Sequence, residues 1–234
     1  IEDQTEFLPP SQLAKRLRAG DFAAGLVSIT EVLHHDLYYV LDGVAVACDG
    51  PVKSVFLAYK KSLEEVDVIH CDAASLSSLN LLKVILAHHG LSPRLEPFDD
   101  YSRAEEQSAI LLIGNPGIDF LRSSHEHQIL DLGQEWKEIT GLPFVFAVWA
   151  IRRDQSDLDL NRMLFQAKKE GKAKLTDIIK NNTDFDFDFR DSYLREYIKF
   201  ELGESEKEGV LEFVRRLSYV MPEPIFIPNY VSAN

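Results

Sequence analysis

Apolar residues recur along the chain in two rhythms that alternate for the first two-thirds of its length. Leu13 and Leu17 stand four apart in 11–19, with Ser11 to cap the start and Gly20 to stop it, which predicts a short amphipathic helix. The compact run FAAGLVSI at 22–29 predicts a buried strand and a helix starting at Ser28. Stretches rich in Val, Tyr and Phe at 38–47 and 54–58 predict strands, separated by the turn Asp49-Gly50-Pro51. VDVIHC at 66–71 predicts a strand that runs into small polar residues, and LNLLKVILAH at 79–88 a helix with Gly90 beyond it. SAILLI at 108–113 is a strand followed by Gly114-Asn115-Pro116-Gly117, where Pro116 suits the first turn of a helix. A short strand at 128–132, a helix at 134–140 closed by Gly141, and a buried strand at 144–151 come next. Beyond Asp157 spacings of three and four predict helices over 160–169, 174–180, 192–200 and 206–220. Strands alternating with helices predict an α/β fold with mostly parallel sheets.

Two segments stand outside this scheme. Asp184-Phe185-Asp186-Phe187-Asp188-Phe189 alternates with period two, as an edge strand does, and reads as a connection that pins three rings on one side, with metal binding the weaker reading. Lys168, Lys169 and Lys174 read as a solvated basic helix face.

The 234 residues allow one or two domains at about 150 residues each, so two lobes around a cleft are possible. With 25 Lys and Arg against 38 Asp and Glu the net charge is −13, which opposes wrapping nucleic acid or lying on an anionic membrane. A small anion is still admissible where local donors outweigh the global field. The longest apolar run, at 142–151, is strand-sized, well short of the roughly 18 residues of a membrane span. Cys48 and Cys71 form no C-x-x-C pair and no zinc spacing, and are expected reduced and buried. The sequence opens on Ile1 rather than Met, so a removed segment, a cleaved signal peptide among them, is open.

Candidate chemistry gathers where strands end. Ser28 follows one strand, Ser75, Ser77 and Ser78 a second, and Gly114 with Asn115 a third. Ligands of open α/β sheets collect at the carboxyl ends of strands, where helix N-termini offer free N–H groups and partial positive charge. Three serines opening one helix supply hydroxyls too, as an uncharged cradle for a carboxylate requires. Helix capping is the competing use of every one of these serines, and spacing alone leaves both open. The pairs His34-His35 and His88-His89 and the His125-x-His127 loop suit surface or capping roles. No G-x-S-x-G, P-loop or G-x-G-x-x-G is present, so serine hydrolysis, nucleotide triphosphates and Rossmann-type dinucleotides lose their usual support.

A longer pattern goes further. Asp131-Leu132-Gly133-Gln134-Glu135-Trp136, then Thr140-Gly141-Leu142-Pro143-Phe144-Val145-Phe146-Ala147-Val148-Trp149-Ala150, resembles the most recognisable stretch of the chorismate dehydratases of the futalosine route to menaquinone. Gly50-Pro51-Val52-Lys53-Ser54-Val55, the segment 72–78, Leu111-Leu112-Ile113-Gly114, Tyr193-Leu194 and Ile198-Lys199-Phe200 occur in the family's order, so the resemblance runs from Leu13 to Leu217. A sister enzyme of the pathway, which forms a dihydroxynaphthoate, shares the fold but lacks the TGLPFVFAVWA stretch.

The resemblance implies a two-lobed type-2 periplasmic-binding-protein-like fold with a ligand cleft between lobes, used in the cytoplasm as a carbon–oxygen lyase, a monomer or homodimer. One lobe would comprise 1–57 and 147–234 and the other 58–146, with 54–58 and 144–150 as the crossing strands. Family members convert chorismate to 3-[(1-carboxyvinyl)oxy]benzoate and water, without metal or organic cofactor. By motif position Ser54 would be the catalytic hydroxyl, while Ser28, Ser75, Ser77, Ser78, Gly114 and Asn115 would hold the substrate. Two positions depart from the family, which usually has Asp at Asn115 and a basic residue at Leu76. The family's first strand, a Tyr-Leu-Asn-x-x-Pro-like segment, has no counterpart here and is expected to lie upstream of Ile1. The rival readings are a non-catalytic binding or sensing protein for a small carboxylate on the same fold, and another menaquinone-pathway enzyme acting on a futalosine derivative.

Overall fold

The computed structural model describes residues 5–71 and 75–233. Asp72, Ala73 and Ala74, which open the serine-rich segment, lie outside the described residues, as do Ile1 to Asp3. In chain order the elements are α1 (Pro10–Ala19), β1 (Ala24–Ser28), α2 (Ile29–His34), β2 (Tyr38–Cys48), β3 (Val55–Tyr59), β4 (Val68–Cys71), α3 (Leu76–His88), β5 (Arg94–Pro97), β6 (Ala109–Ile113), α4 (Asn115–Arg122), β7 (Gln128–Asp131), α5 (Leu132–Thr140), β8 (Phe144–Arg152), α6 (Leu158–Ala173), α7 (Leu175–Asn181), α8 (Phe187–Ser192), α9 (Glu204–Val220) and β9 (Tyr230–Val231). Helix starts follow capping chemistry: the side chains of Ser28, Ser75, Asp131, Asp157 and Asp186 each accept from a backbone N–H of the turn they open.

The strands form two sheets, of four strands in the order β1-β8-β2-β9 and of five in the order β5-β4-β6-β3-β7. They are mixed rather than mostly parallel. β8 runs against both β1 and β2, and β3 against both β6 and β7, while β4 is parallel to β5 and β6 and β2 is parallel to β9. An apolar run records that a strand is buried on its faces and carries no information on its neighbours' direction, which is why the sequence pattern misses this. The expected breaks after 57 and 146 fall within β3 and β8, which belong wholly to the five-stranded and four-stranded sheet. The lobe division we propose follows the sheets, with the chain passing from one to the other in 49–54 and returning in 132–143.

The TGLPF stretch serves the core. Trp136, Phe144 and Phe213 pack edge to face at 5.0 to 6.0 Å between ring centres, and Trp136 Nε1 donates to the Pro143 carbonyl at 3.0 Å. Helix α9 approaches this stretch so closely that a Cβ at Gly209 would stand 2.2 Å from the Pro143 oxygen, so only glycine fits.

The Asp-Phe repeat is not a strand. Asp186 accepts from the Phe189 N–H and thereby starts α8, whose continuation Tyr193–Tyr197 is a π turn. Period two and an N-cap compete for the same residues, and the cap prevails. The three rings do not share a side: Phe185 and Phe189 flank the Arg122 guanidinium at 5.7 and 5.6 Å, while Phe187 is exposed beside Arg190. Among the described residues no helix is long and apolar enough to cross a membrane.

Candidate functional site

Ser54 closes the turn that carries the chain from β2 to β3, and a single carboxylate shapes that turn. Asp131, the last residue of β7 and the cap of α5, accepts from the N–H groups of Val52 (3.0 and 3.1 Å), Lys53 (2.8 Å), Gly133 (3.0 Å) and Gln134 (3.1 Å). Lys53 takes a left-handed conformation with φ 62°, a geometry costly for a side chain with a Cβ and sustained by these bonds. Helix α5 touches the turn directly. A Cβ at Gly133 would lie 2.6 Å from both Cys48 Sγ and the Gly50 oxygen. Gly133→Ala is therefore expected to cost about 2 kcal/mol through overpacking, measured by urea unfolding; an unchanged midpoint would mean that the turn yields freely.

Ser54 is 4% exposed. It lies 2.8 Å from the Tyr193 hydroxyl and 3.5 Å from the Val52 carbonyl. Burial pushes the Tyr193 phenol up from its ordinary range, and it pushes the neighbouring Cys48 thiol up to about 12. Both groups stay protonated near neutrality. The Ser54 carbonyl accepts from the Gly114 N–H at 2.7 Å, tying the turn to the start of α4.

The remaining serines form a second group. Ser77 donates to the Phe146 carbonyl at 2.6 Å, so the 2.5 Å contact between Ser28 and Ser77 has Ser28 as donor, and Ser28 Oγ in turn accepts from the Thr30 N–H at 3.2 Å. Ser75 caps α3 by accepting from the Ser78 N–H at 3.4 Å, with the two hydroxyls 3.0 Å apart. The capping use of Ser28 and Ser75 is thus real. Ser77 adds something caps do not, a bond from α3, which follows the five-stranded sheet's β4, to the backbone of β8 in the other sheet.

The structure therefore joins Ser28 with Ser77, Ser75 with Ser78, and Ser54 with Gly114. Ser77 bonds the backbone of β8 at Phe146, and the turn that carries Ser54 leaves β2 at Cys48, which faces Phe144 of β8. Asn115 and Leu76, the first residues of α4 and α3, are exposed. An apolar hollow of about 390 Å³ between the four-stranded sheet and α6, lined by Leu26, Val46, Trp149, Leu164, Leu194 and Phe200, holds none of the expected site residues. Among the described residues no group of three His, Cys, Asp or Glu side chains is placed to hold a metal ion.

Sequence reading misses Asp131 and Tyr193 as site residues. Asp131 carries a signal, since an Asp directly before LGQEW is a cap, but its second task lies 78 and 79 residues away. Tyr193 is legible only as part of the Tyr193-Leu194 resemblance, and its bond to Ser54 across 139 residues has no local signal.

Chemically, the arrangement offers an immobilised hydroxyl, two helix N-termini of opposite polarity to an anion, and hydroxyls that can exchange their present partners for a carboxylate. Comparison with known proteins gives this a context. The family model described as menaquinone biosynthesis matches residues 5–219. A chorismate dehydratase of Thermus thermophilus is 28% identical over 241 residues, covering 94% of this chain and 88% of that protein. Among solved structures, protein AF1704 from Archaeoglobus fulgidus superposes with a TM-score of 0.66 at 19% identity, covering 90% of this chain and 83% of that one. The periplasmic aliphatic sulphonate binding protein SsuA from Escherichia coli does so with a TM-score of 0.56 at 16% identity, covering 97% and 82%. The chain has the two-lobed type-2 periplasmic-binding-protein-like fold.

Proposed function

The chain belongs to the menaquinone biosynthesis family, and from that premise we propose that it is a chorismate dehydratase, a carbon–oxygen lyase that forms 3-[(1-carboxyvinyl)oxy]benzoate. The observation that carries the reading is the likeness to the Thermus enzyme along nearly the whole chain. In the proposed reaction a proton leaves C3 of the cyclohexadiene, the C4 hydroxyl leaves as water, and the ring becomes benzenoid. Aromaticity supplies the driving force, so the protein's task is to hold two carboxylates and to help the hydroxyl depart.

The roles we assign come from the family resemblance, and the geometry supports them. Ser54 donates a hydrogen bond to the departing hydroxyl, from a position set by the Asp131 clamp. The N-terminal turns of α3 and α4, with Ser75, Ser77, Ser78 and Asn115, receive carboxylate charge that the surplus of acidic residues would otherwise repel. Ser28 exchanges its bond to Ser77 for one to substrate. The Gly114 N–H serves indirectly, since it is held by the Ser54 carbonyl.

Incubation of the full-length protein with chorismate tests the proposal. The expected result is a benzenoid product lighter than chorismate by one water, seen by ultraviolet absorbance and mass spectrometry. No conversion overturns it, and tight binding of chorismate without conversion would instead support a solute-binding role on the same fold.

A further inference from the structure

The Asp-Phe repeat and the π turn after it converge on Ser54, and they do so as one assembly. Arg122, in the last turn of α4, pairs with Asp186 and lies over the rings of Phe185 and Phe189 at 5.7 and 5.6 Å. Phe185 meets Phe189 edge to face at 5.5 Å, and Phe189 stacks on Tyr193 at 5.5 Å with the rings 17° from parallel. The column ends on the hydroxyl pair of Tyr193 and Ser54, 2.8 Å apart. One turn on, Tyr197 receives the Lys53 ammonium over its ring at 5.6 Å. Both tyrosines of the π turn thus grip consecutive residues of the Asp131-clamped turn. An i to i+5 turn is rare and concentrates at functional sites, because the extra residue re-aims the side chains that follow it.

The direction of the hydrogen bond follows from counting protons and acceptors. Ser54 reaches a second acceptor, the Val52 carbonyl at 3.5 Å, whereas the Tyr193 hydroxyl meets Ser54 only among the described residues. Counting protein acceptors among the described residues, both protons are served when Tyr193 donates to Ser54 and Ser54 points its own proton away from Tyr193. A 3.5 Å bond is weak, so that proton is readily transferred to a better acceptor.

We propose that Tyr193 is a positioning residue that directs the Ser54 hydroxyl proton, held in place by the ring column under Arg122. The proposal rests on the reading of Ser54 as the hydroxyl that assists the departing group. Burial keeps the phenol protonated, as a permanent donor must be. A phenol that donates to Ser54 Oγ also supports the negative charge that gathers there as Ser54 shares its proton.

Tyr193→Phe keeps the ring and the column and removes only the donor. In chorismate turnover its kcat is expected to fall between about 10- and 100-fold with KM within about twofold. In a Ser54→Ala background the same change is expected to alter kcat by less than about twofold, because Tyr193 acts through Ser54. Equal losses in both backgrounds, or a raised KM at constant kcat, overturn the proposal. Crystal structures of the parent and of Tyr193→Phe supply a readout independent of turnover. The Ser54 side chain is expected to populate more than one rotamer once the phenol is gone, and a single unchanged rotamer overturns the proposal. Should the parent fail to convert chorismate, the functional reading falls by itself and the rotamer comparison still decides the role of Tyr193.

Discussion

An Asp131→Ala chain is expected to lose about 3 kcal/mol of stability and most of its turnover together. One carboxylate satisfies four backbone N–H groups, two in the turn before Ser54 and two in the first turn of α5. Hydrogen bonds to a charged acceptor contribute roughly 1.5 to 3 kcal/mol each, and the sum is reduced here because Asp131 is only half-buried and water can reach part of what it leaves. The loss of activity has a separate cause. Lys53 at φ 62° relaxes toward ordinary backbone once its N–H is unheld, and that relaxation swings the adjoining Ser54 off its place. Asp131→Asn keeps one acceptor oxygen but turns an amide donor toward backbone donors, so it falls between the parent and Asp131→Ala. Urea unfolding and chorismate turnover measure the two effects. A chain that keeps its stability within about 1 kcal/mol would show that the turn is held by packing of Val52 and Gly133 instead.

This double duty of Asp131 marks the boundary of what the sequence discloses. Elements with a strong apolar rhythm and a cap or stop are legible: Ser28 opens α2, Gly141 follows α5, and the runs at 38–47, 108–113 and 144–151 are β2, β6 and β8. β5, reading RLEP, and the two-residue β9 have no such rhythm, because they lie at sheet edges where few faces are buried. Strand direction is invisible for the same physical reason that burial is visible, since the apolar effect has no direction. The serines were legible as helix starts, and for Ser28 and Ser75 that is what they are. Their second partners, Ser77 for Ser28 and the β8 backbone for Ser77, are 49 and 69 residues away, beyond any local pattern. The Asp-Phe repeat misleads because its alternation competes with the Asp186 cap within the same six residues, while the Arg122 pairing that joins that cap is a contact across 64.

Ser54→Ala is expected to lower kcat by about 1,000-fold while changing stability by no more than about 1 kcal/mol, and the contrast between those two numbers is what identifies a working hydroxyl. The stability term is small because alanine fills nearly the same space and the long bond to Val52 contributes little, so what remains is the Tyr193 phenol deprived of its acceptor. The backbone of the turn is untouched, as the Asp131 bonds and the Gly114 bond to the Ser54 carbonyl involve main-chain atoms that every residue possesses. The activity term is large because the lost hydroxyl is the donor assigned to the departing group, and Ser54 is only 4% exposed, which leaves little water to replace it. Steady-state turnover of chorismate alongside thermal unfolding separates the terms. A fall in stability of several kcal/mol at near-normal kcat would make Ser54 a structural tie between the turn and the π helix, and the leaving hydroxyl would then have to be served from the Ser28 and Ser77 side of the cleft.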